Sequence, residues 1–115
     1  MSNSNEQCVL IVTFDPRPGQ KEAFRSHLYR LVEAMKAEPN FVNTIVHEDL
    51  DKKDRLVLYE IWSGTRERWQ SEEPHKAYRK TYEQGLSDLL ADREVRWMTP
   101  VAEWGSSLTL HSKGE

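Results

Sequence analysis

Two stretches in the middle of the chain, Phe41 to Leu50 and Arg55 to Ser63, read as β-strands with apolar side chains on both faces. This limits the folds open to the chain more than any other feature. In the first stretch Phe41, Asn43, Ile45 and His47 share one face, opposite Val42, Thr44, Val46 and Glu48. In the second, Leu56, Leu58, Glu60 and Trp62 alternate with Val57, Tyr59 and Ile61. The segment Asp51-Lys52-Lys53-Asp54 between them suits a hairpin loop. A sheet that is apolar on both sides needs two covers.

The flanking elements supply only one of these covers. Cys8 to Phe14 is an apolar run ended by Asp15-Pro16-Arg17-Pro18-Gly19, hence a strand and a turn. From Gln20 the period changes, and Phe24, Leu28, Leu31, Val32 and Met35 form one helical stripe. Pro39 should end that helix near Ala37. After Gly64, Thr65 suits the N-cap of a short helix through Trp69. Pro74 opens a further helix whose stripe is His75, Tyr78, Tyr82, Leu86 and Leu89. A last strand is expected over Val95 to Trp104, with Pro100 inside it. Strand, helix, strand, strand, helix, strand is the α+β, ferredoxin-like β-α-β-β-α-β order, a four-stranded antiparallel sheet with its helices on one face. The other face stays apolar and uncovered, so two copies are expected to pack sheet to sheet as a homodimer.

The length of 115 residues allows one core and excludes a multi-domain enzyme. With 37% hydrophobic residues beside 30% charged ones, the composition is that of a globule with a wet surface rather than a disordered chain. A formal net charge of −3 and no basic face argue against a nucleic-acid partner. The densest basic stretch (Arg66, Arg68, Lys76, Arg79, Lys80) is interrupted by Glu67, Glu72 and Glu73 and reads as a solvated helix face. Met1 to Gln7 carries no signal-peptide pattern, and no apolar run is long enough to span a membrane. The single cysteine, Cys8, forms no intramolecular disulfide, so the cytoplasm is the expected compartment. Residues 1–7 are expected to be disordered, 8–104 to form the domain, and 105–115 to be a polar tail with an unplaced patch at Leu108-Thr109-Leu110.

Glu60 is the sharpest chemical candidate. It alternates with Leu56, Leu58 and Trp62, so it enters an apolar layer that raises its pKa unless a cation or several donors face it. It is either a structural carboxylate paired with Arg, His or Tyr, or a general base or the orienter of one. His75, on the stripe with Tyr78 and Tyr82, is the candidate acid-base catalyst or a local hydrogen-bonding residue. His47 reaches either the same cavity or the opposite sheet face, whereas His27 and His111 suit surface or packing roles. Trp62, Trp69, Tyr78 and Tyr82 form core, or the walls of a pocket for a flat aromatic molecule. No histidine pair has metal-site spacing, although His47, Glu60 and His75 could in principle converge on one. The scattered glycines give no phosphate loop and no support for NAD, FAD or ATP.

Tyr59-Glu60-Ile61-Trp62, followed by Pro74-His75 and preceded by Glu38-Pro39-Asn40-Phe41, resembles the antibiotic biosynthesis monooxygenase domain family, including its quinol monooxygenase-like members. The resemblance spans about residues 8 to 104, with Glu60, Trp62 and His75 as the matching positions. It implies a dimeric α+β barrel and, for some members, oxygenation of phenolic or polyketide substrates by O2 without metal, flavin or heme. Trp69 also resembles the heme-degrading branch. That branch, however, has a histidine where this chain has Arg79 and an asparagine in the first strand, absent here between Cys8 and Phe14, so heme degradation is disfavoured. The expected chemistry is removal of a phenolic proton by His75, oriented by Glu60, from a ring stacked among Trp62, Trp69 and Tyr78. The anion then passes an electron to O2. Isomerase or decarboxylase chemistry on a small carbonyl compound, sequestration of an aromatic metabolite, and a purely structural role are the other readings.

Overall fold

The computed structural model describes residues 6–105. The elements in chain order are β1 (Gln7–Pro16), α1 (Lys21–Met35), β2 (Phe41–Glu48), β3 (Leu56–Ser63), α2 (Arg66–Glu72), α3 (Ala77–Gln84) and β4 (Leu90–Met98). Short 3-10 turns at Glu73–His75 and Leu86–Asp88 bracket α3. The four strands pair antiparallel in the order β2-β3-β1-β4, which is the α+β ferredoxin-like sheet expected from the element order. Its inner face carries Leu10, Val12 and Phe14 of β1 and Leu56, Leu58 and Trp62 of β3. These close a core with Phe24, Leu28, Leu31 and Met35 of α1. The core is made by helical and two-residue periods meeting, and its drive is removal of apolar area from water.

Three local features depart from the sequence expectation. Phe41 pairs with Trp62 while Asn43 pairs with Ile61, so a register shift at Val42 moves Phe41 to the inner face. There its ring meets Trp62 edge-on, with centroids 5.5 Å apart. The last helix is also shorter than its stripe suggested. It begins at Ala77, after Lys76 in an extended conformation, and ends at Gly85, its C-cap. Pro74 and His75 therefore belong to the preceding 3-10 turn. β4 begins at Leu90 and ends at Met98, two residues short of Pro100, because proline has no N–H for the ladder with β1. At the other end Gln7 is already part of β1, and the Leu108-Thr109-Leu110 patch and His111 lie outside the described residues.

Turn chemistry fixes the hairpin and the exit from β3. Asp49 Oδ1 accepts from the backbone N–H of Asp51 at 2.8 Å and of Lys52 at 3.0 Å, which folds the β2–β3 loop. Gly64 leaves β3 at φ +101°, open to glycine at little cost, and Thr65 Oγ1 then caps α2 through the Arg68 N–H at 3.1 Å. Where β1 ends, the Arg55 guanidinium donates to both Asp15 oxygens at 2.8 and 2.9 Å. That hydrogen bonding holds the Asp15 carboxyl below its usual range. A carboxyl with a lowered folded pKa contributes stability above its unfolded pKa, and the contribution is lost as pH falls through the folded pKa. Asp15→Asn is therefore expected to cost at most about 1 kcal/mol at neutral pH, because the pair is partly exposed. The two proteins should converge in acid, as read by urea denaturation at both pH values. An equal gap at both would disprove the ion-pair account.

Among the described residues no helix is long and apolar enough to cross a membrane.

Candidate functional site

A cavity of about 350 Å³ opens between the inner sheet face and the α2–α3 corner. Leu10, Val12, Phe14, Leu31 and Leu58 make its apolar floor, and Val95 and Trp97 of β4 its outer wall. The helices cover β3 and β1 but leave β4 thinly covered, which is why the space lies on that side. Glu60, Trp69, Arg79 and Tyr82 bring polar atoms into it.

Glu60 is 1% exposed on the inner face of β3, where strand alternation places it between Leu58 and Trp62. Its Oε1 accepts from Trp62 Nε1 at 2.8 Å and lies 3.6 Å from Arg79 Nη2. Burial pushes the Glu60 carboxyl above the usual range, while the Arg79 charge and the Trp62 N–H pull the other way. Arg79 is the residue that sequence reasoning misplaced. It is not on a solvated helix face, since its side chain is only 11% exposed. The guanidinium carbon stands 5.1 Å from the Trp69 ring centre, 5.6 Å from Tyr78 and 5.9 Å from Trp62, an aromatic cage for a cation. Nε donates to Glu73 Oε2 at 3.1 Å. Glu73 is itself 4% exposed and also accepts from the Tyr78 hydroxyl. Lys76 pairs with Glu38, which ties this corner to the entry of β2.

Three donors around the cavity have no hydrogen-bond partner among the described residues: Trp69 Nε1, Arg79 Nη2 and the Tyr82 hydroxyl. All three residues line the same space. Buried donors are rarely left unpaired, and these three belong to residues of one cavity. Burial also pushes the Tyr82 phenol well above its usual range, which keeps it a neutral donor. The Tyr82 ring stacks on His27 at 4.8 Å, and His27 Nε2 lies 2.7 Å from the Tyr82 carbonyl oxygen, so His27 has a packing role.

The other sequence candidates separate. Trp62 forms the wall behind Glu60, and Tyr78 packs on Arg79, but neither lines the cavity. His75 is exposed in the 3-10 turn and does not line it, although its neighbour Pro74 does. The helix that was to turn His75 inward starts two residues after it. His47 pairs with Val57, which puts it on the outer sheet face, and it is exposed. His47, Glu60 and His75 therefore do not converge. Among the described residues no group of three His, Cys, Asp or Glu side chains is placed to hold a metal. A signal for Arg79 was present in the chain: it lies three residues before Tyr82, on the same stripe, and a buried Glu60 requires a cation.

The Tyr82 hydroxyl gives a prediction with two opposite signs. Tyr82→Phe removes a buried group that no atom of the described residues satisfies, so stability is expected to stay level or rise. Affinity for an oxygen-bearing aromatic ligand should fall about five- to tenfold, the worth of one hydrogen bond. Thermal denaturation and a binding titration on the same sample read both. A clear loss of stability would show that the hydroxyl serves the fold.

The family model described as antibiotic biosynthesis monooxygenase matches residues 8–64. No match was found among curated proteins. Among solved structures the chain is similar to PA3566 from Pseudomonas aeruginosa at 20% identity and a TM-score of 0.78, covering 88% of this chain and 100% of that one. It is similar to Rv0793 from Mycobacterium tuberculosis at 23% identity and a TM-score of 0.75, with coverages of 86% and 99%. SnoaB, a cofactor-independent oxygenase from Streptomyces nogalater, aligns at 16% identity and a TM-score of 0.75, with coverages of 88% and 99%. These three likenesses show the shared fold. The match over residues 8–64 identifies that segment with the antibiotic biosynthesis monooxygenase family.

Proposed function

We propose that the protein is a cofactor-independent monooxygenase that oxidises a phenolic, quinol or polyketide-like aromatic molecule with O2. The observation that carries this reading is the set of three donors without a hydrogen-bond partner among the described residues, one of them cationic, on residues that line a cavity with an apolar floor. Such a site holds an aromatic ring by its faces and a ring oxygen by Arg79, Trp69 and Tyr82. It favours the ionised oxygen over the neutral one, because donors in a dry site act strongly on developing charge. An electron-rich phenolate is a reductant able to give an electron to O2 directly. For a hydroquinone the balance is one ring plus O2 giving a hydroxyquinone plus water. The family match over residues 8–64 and the resemblance in fold to SnoaB support the reaction class. His75 stands outside the cavity; of the two carboxylates that line it, Glu83 is exposed and paired with Arg93, so the buried Glu60 is the base in this reading.

A second copy packed on the outer sheet face, and a reducing compartment in keeping with the buried free thiol of Cys8, belong to the same proposal. The test is oxygen consumption by metal-free, flavin-free protein with a panel of hydroquinones. Turnover that depends on dissolved oxygen is expected. A ligand bound and recovered unchanged would support sequestration instead, and turnover without oxygen would support isomerase or decarboxylase chemistry.

A further inference from the structure

Two carboxylates share one guanidinium at the inner end of the cavity, and they hold it differently. Glu73 is fixed: it accepts from Arg79 Nε at 3.1 Å and from the Tyr78 hydroxyl, and Lys76 Nζ lies 3.8 Å from its other oxygen. Glu60 faces Arg79 Nη2 as an ion pair at 3.6 Å, longer than a hydrogen bond, and Nη2 has no hydrogen-bond partner among the described residues. A ligand oxyanion hydrogen-bonded to Nη2 would face the Glu60 carboxylate across that same edge. Two negative charges there, out of water, would repel strongly unless one of them is neutralised.

We propose that the cavity exchanges one anion for another: a ligand oxyanion of the phenolate class takes over Arg79 Nη2, and Glu60 becomes protonated as it does so. Glu73 meanwhile keeps the guanidinium in place. This rests on the reading of the cavity as the substrate site. The groups that face Glu60 are Arg79 and Tyr82 from α3, Glu73 from the 3-10 turn, Cys8 from β1 and Trp62 on its own strand. Burial holds both the Cys8 thiol and the Tyr82 phenol above their usual ranges, so both stay neutral. Glu73 is engaged by hydrogen bonds from Arg79 Nε and the Tyr78 hydroxyl, whereas Glu60 borders the guanidinium edge that the ligand takes and receives the proton. A phenol that enters neutral breaks its own O–H bond and forms the Glu60 O–H bond, with no net exchange with solvent. A phenolate that enters as the anion draws one proton from solvent onto Glu60.

The probe is 4-nitrophenol, whose ionised form is coloured. Calorimetric titration in buffers of different ionisation enthalpy counts the protons taken up on binding. At pH above the free dye's pKa, about one proton per bound dye is expected where Glu60 starts ionised, falling toward zero as pH drops and Glu60 is already protonated. Below the dye's own pKa the bound dye should keep its phenolate spectrum. Glu60→Gln should abolish the uptake and bind the dye several-fold more tightly at alkaline pH. Binding by the wild type without proton uptake at any pH, or uptake that persists in Glu60→Gln, overturns the exchange; the wild-type series stands even if the variant fails to fold. Dye bound without uptake leaves the substrate-site reading standing. Dye bound with uptake but no oxygen consumed with hydroquinones leaves the exchange standing and removes the oxygenase.

Discussion

Arg79→Met is expected to destabilise the protein by about 3 kcal/mol at neutral to alkaline pH, the usual cost of removing one partner from a buried ion pair. Methionine keeps most of the stem that packs between Trp62, Trp69 and Tyr78, so the loss isolates the charge. Glu60 is then buried with only the Trp62 N–H, and its carboxyl, already raised by burial, moves further up. The sign follows from linkage. A carboxyl whose folded pKa lies above its unfolded value contributes stability below the unfolded pKa, and loses it as pH rises through the folded pKa. The deficit of Arg79→Met should thus grow with rising pH and shrink in acid. Adding Glu60→Gln should recover a large part of it, since the uncompensated charge is gone. Urea denaturation of the two single variants and the double variant across pH measures the coupling. Equal deficits at all pH values, or no recovery in the double variant, would show that Arg79 stabilises the fold through packing and Glu73 and not by compensating Glu60. In the proposed reaction the same substitution removes a cationic donor from a developing oxyanion, with turnover expected to drop about a hundredfold or more.

Glu60 and Arg79 also show what a sequence of this kind discloses and what it withholds. The fold was legible because periodicity is local. Leu56, Leu58, Glu60 and Trp62 share a face whatever the rest of the chain does, and Phe24, Leu28, Leu31 and Met35 share a stripe. Glu60 was legible for the same reason, as a carboxylate at an apolar position. Its partner was not, because Arg79 and Glu60 are separated by a strand exit, a helix and a 3-10 turn whose angles no pattern specifies. Arg79 sits among Lys76 and Lys80, and charge density alone gave it to solvent, although its stem packs on three rings and its head is neutralised by Glu73. His75 failed to reach the cavity for a backbone reason: Pro74 opens a 3-10 turn, not the α-helix, and Lys76 is extended before α3 begins. A shift of two residues in a helix start rotates a side chain to the opposite face, so a residue next to a boundary is the one least determined by periodicity. The displaced face of Phe41 is the strand counterpart, since a bulge reverses alternation and carries no composition of its own.

Tyr59→Lys is expected to convert a homodimer to monomers. On the outer sheet face Ile11, Tyr59 and Ile45 lie in one row across β1, β3 and β2, with Thr13, Val57 and His47 in the next. Ile45 and Met98 on this side are 37% and 40% exposed, while Val9 and Ile61 at one end of it are buried. A row of that kind left in water costs solubility, and a second copy of the same row is the partner that fits it by symmetry. A two-fold interface uses one patch twice, so a single substitution places two ammonium groups in the contact. Burying each without a partner costs several kcal/mol, and a total near 3 kcal/mol already weakens association about a hundredfold. Light scattering or sedimentation over a concentration series should show dimer for the wild type and monomer for Tyr59→Lys. A wild-type monomer at every concentration, or a variant that remains dimeric, would remove sheet-to-sheet pairing. The cavity opens on the inner face, with none of its lining drawn from this row. The monomeric variant should therefore still bind 4-nitrophenol with the same proton uptake, which separates sheet-to-sheet pairing from the chemistry of the site.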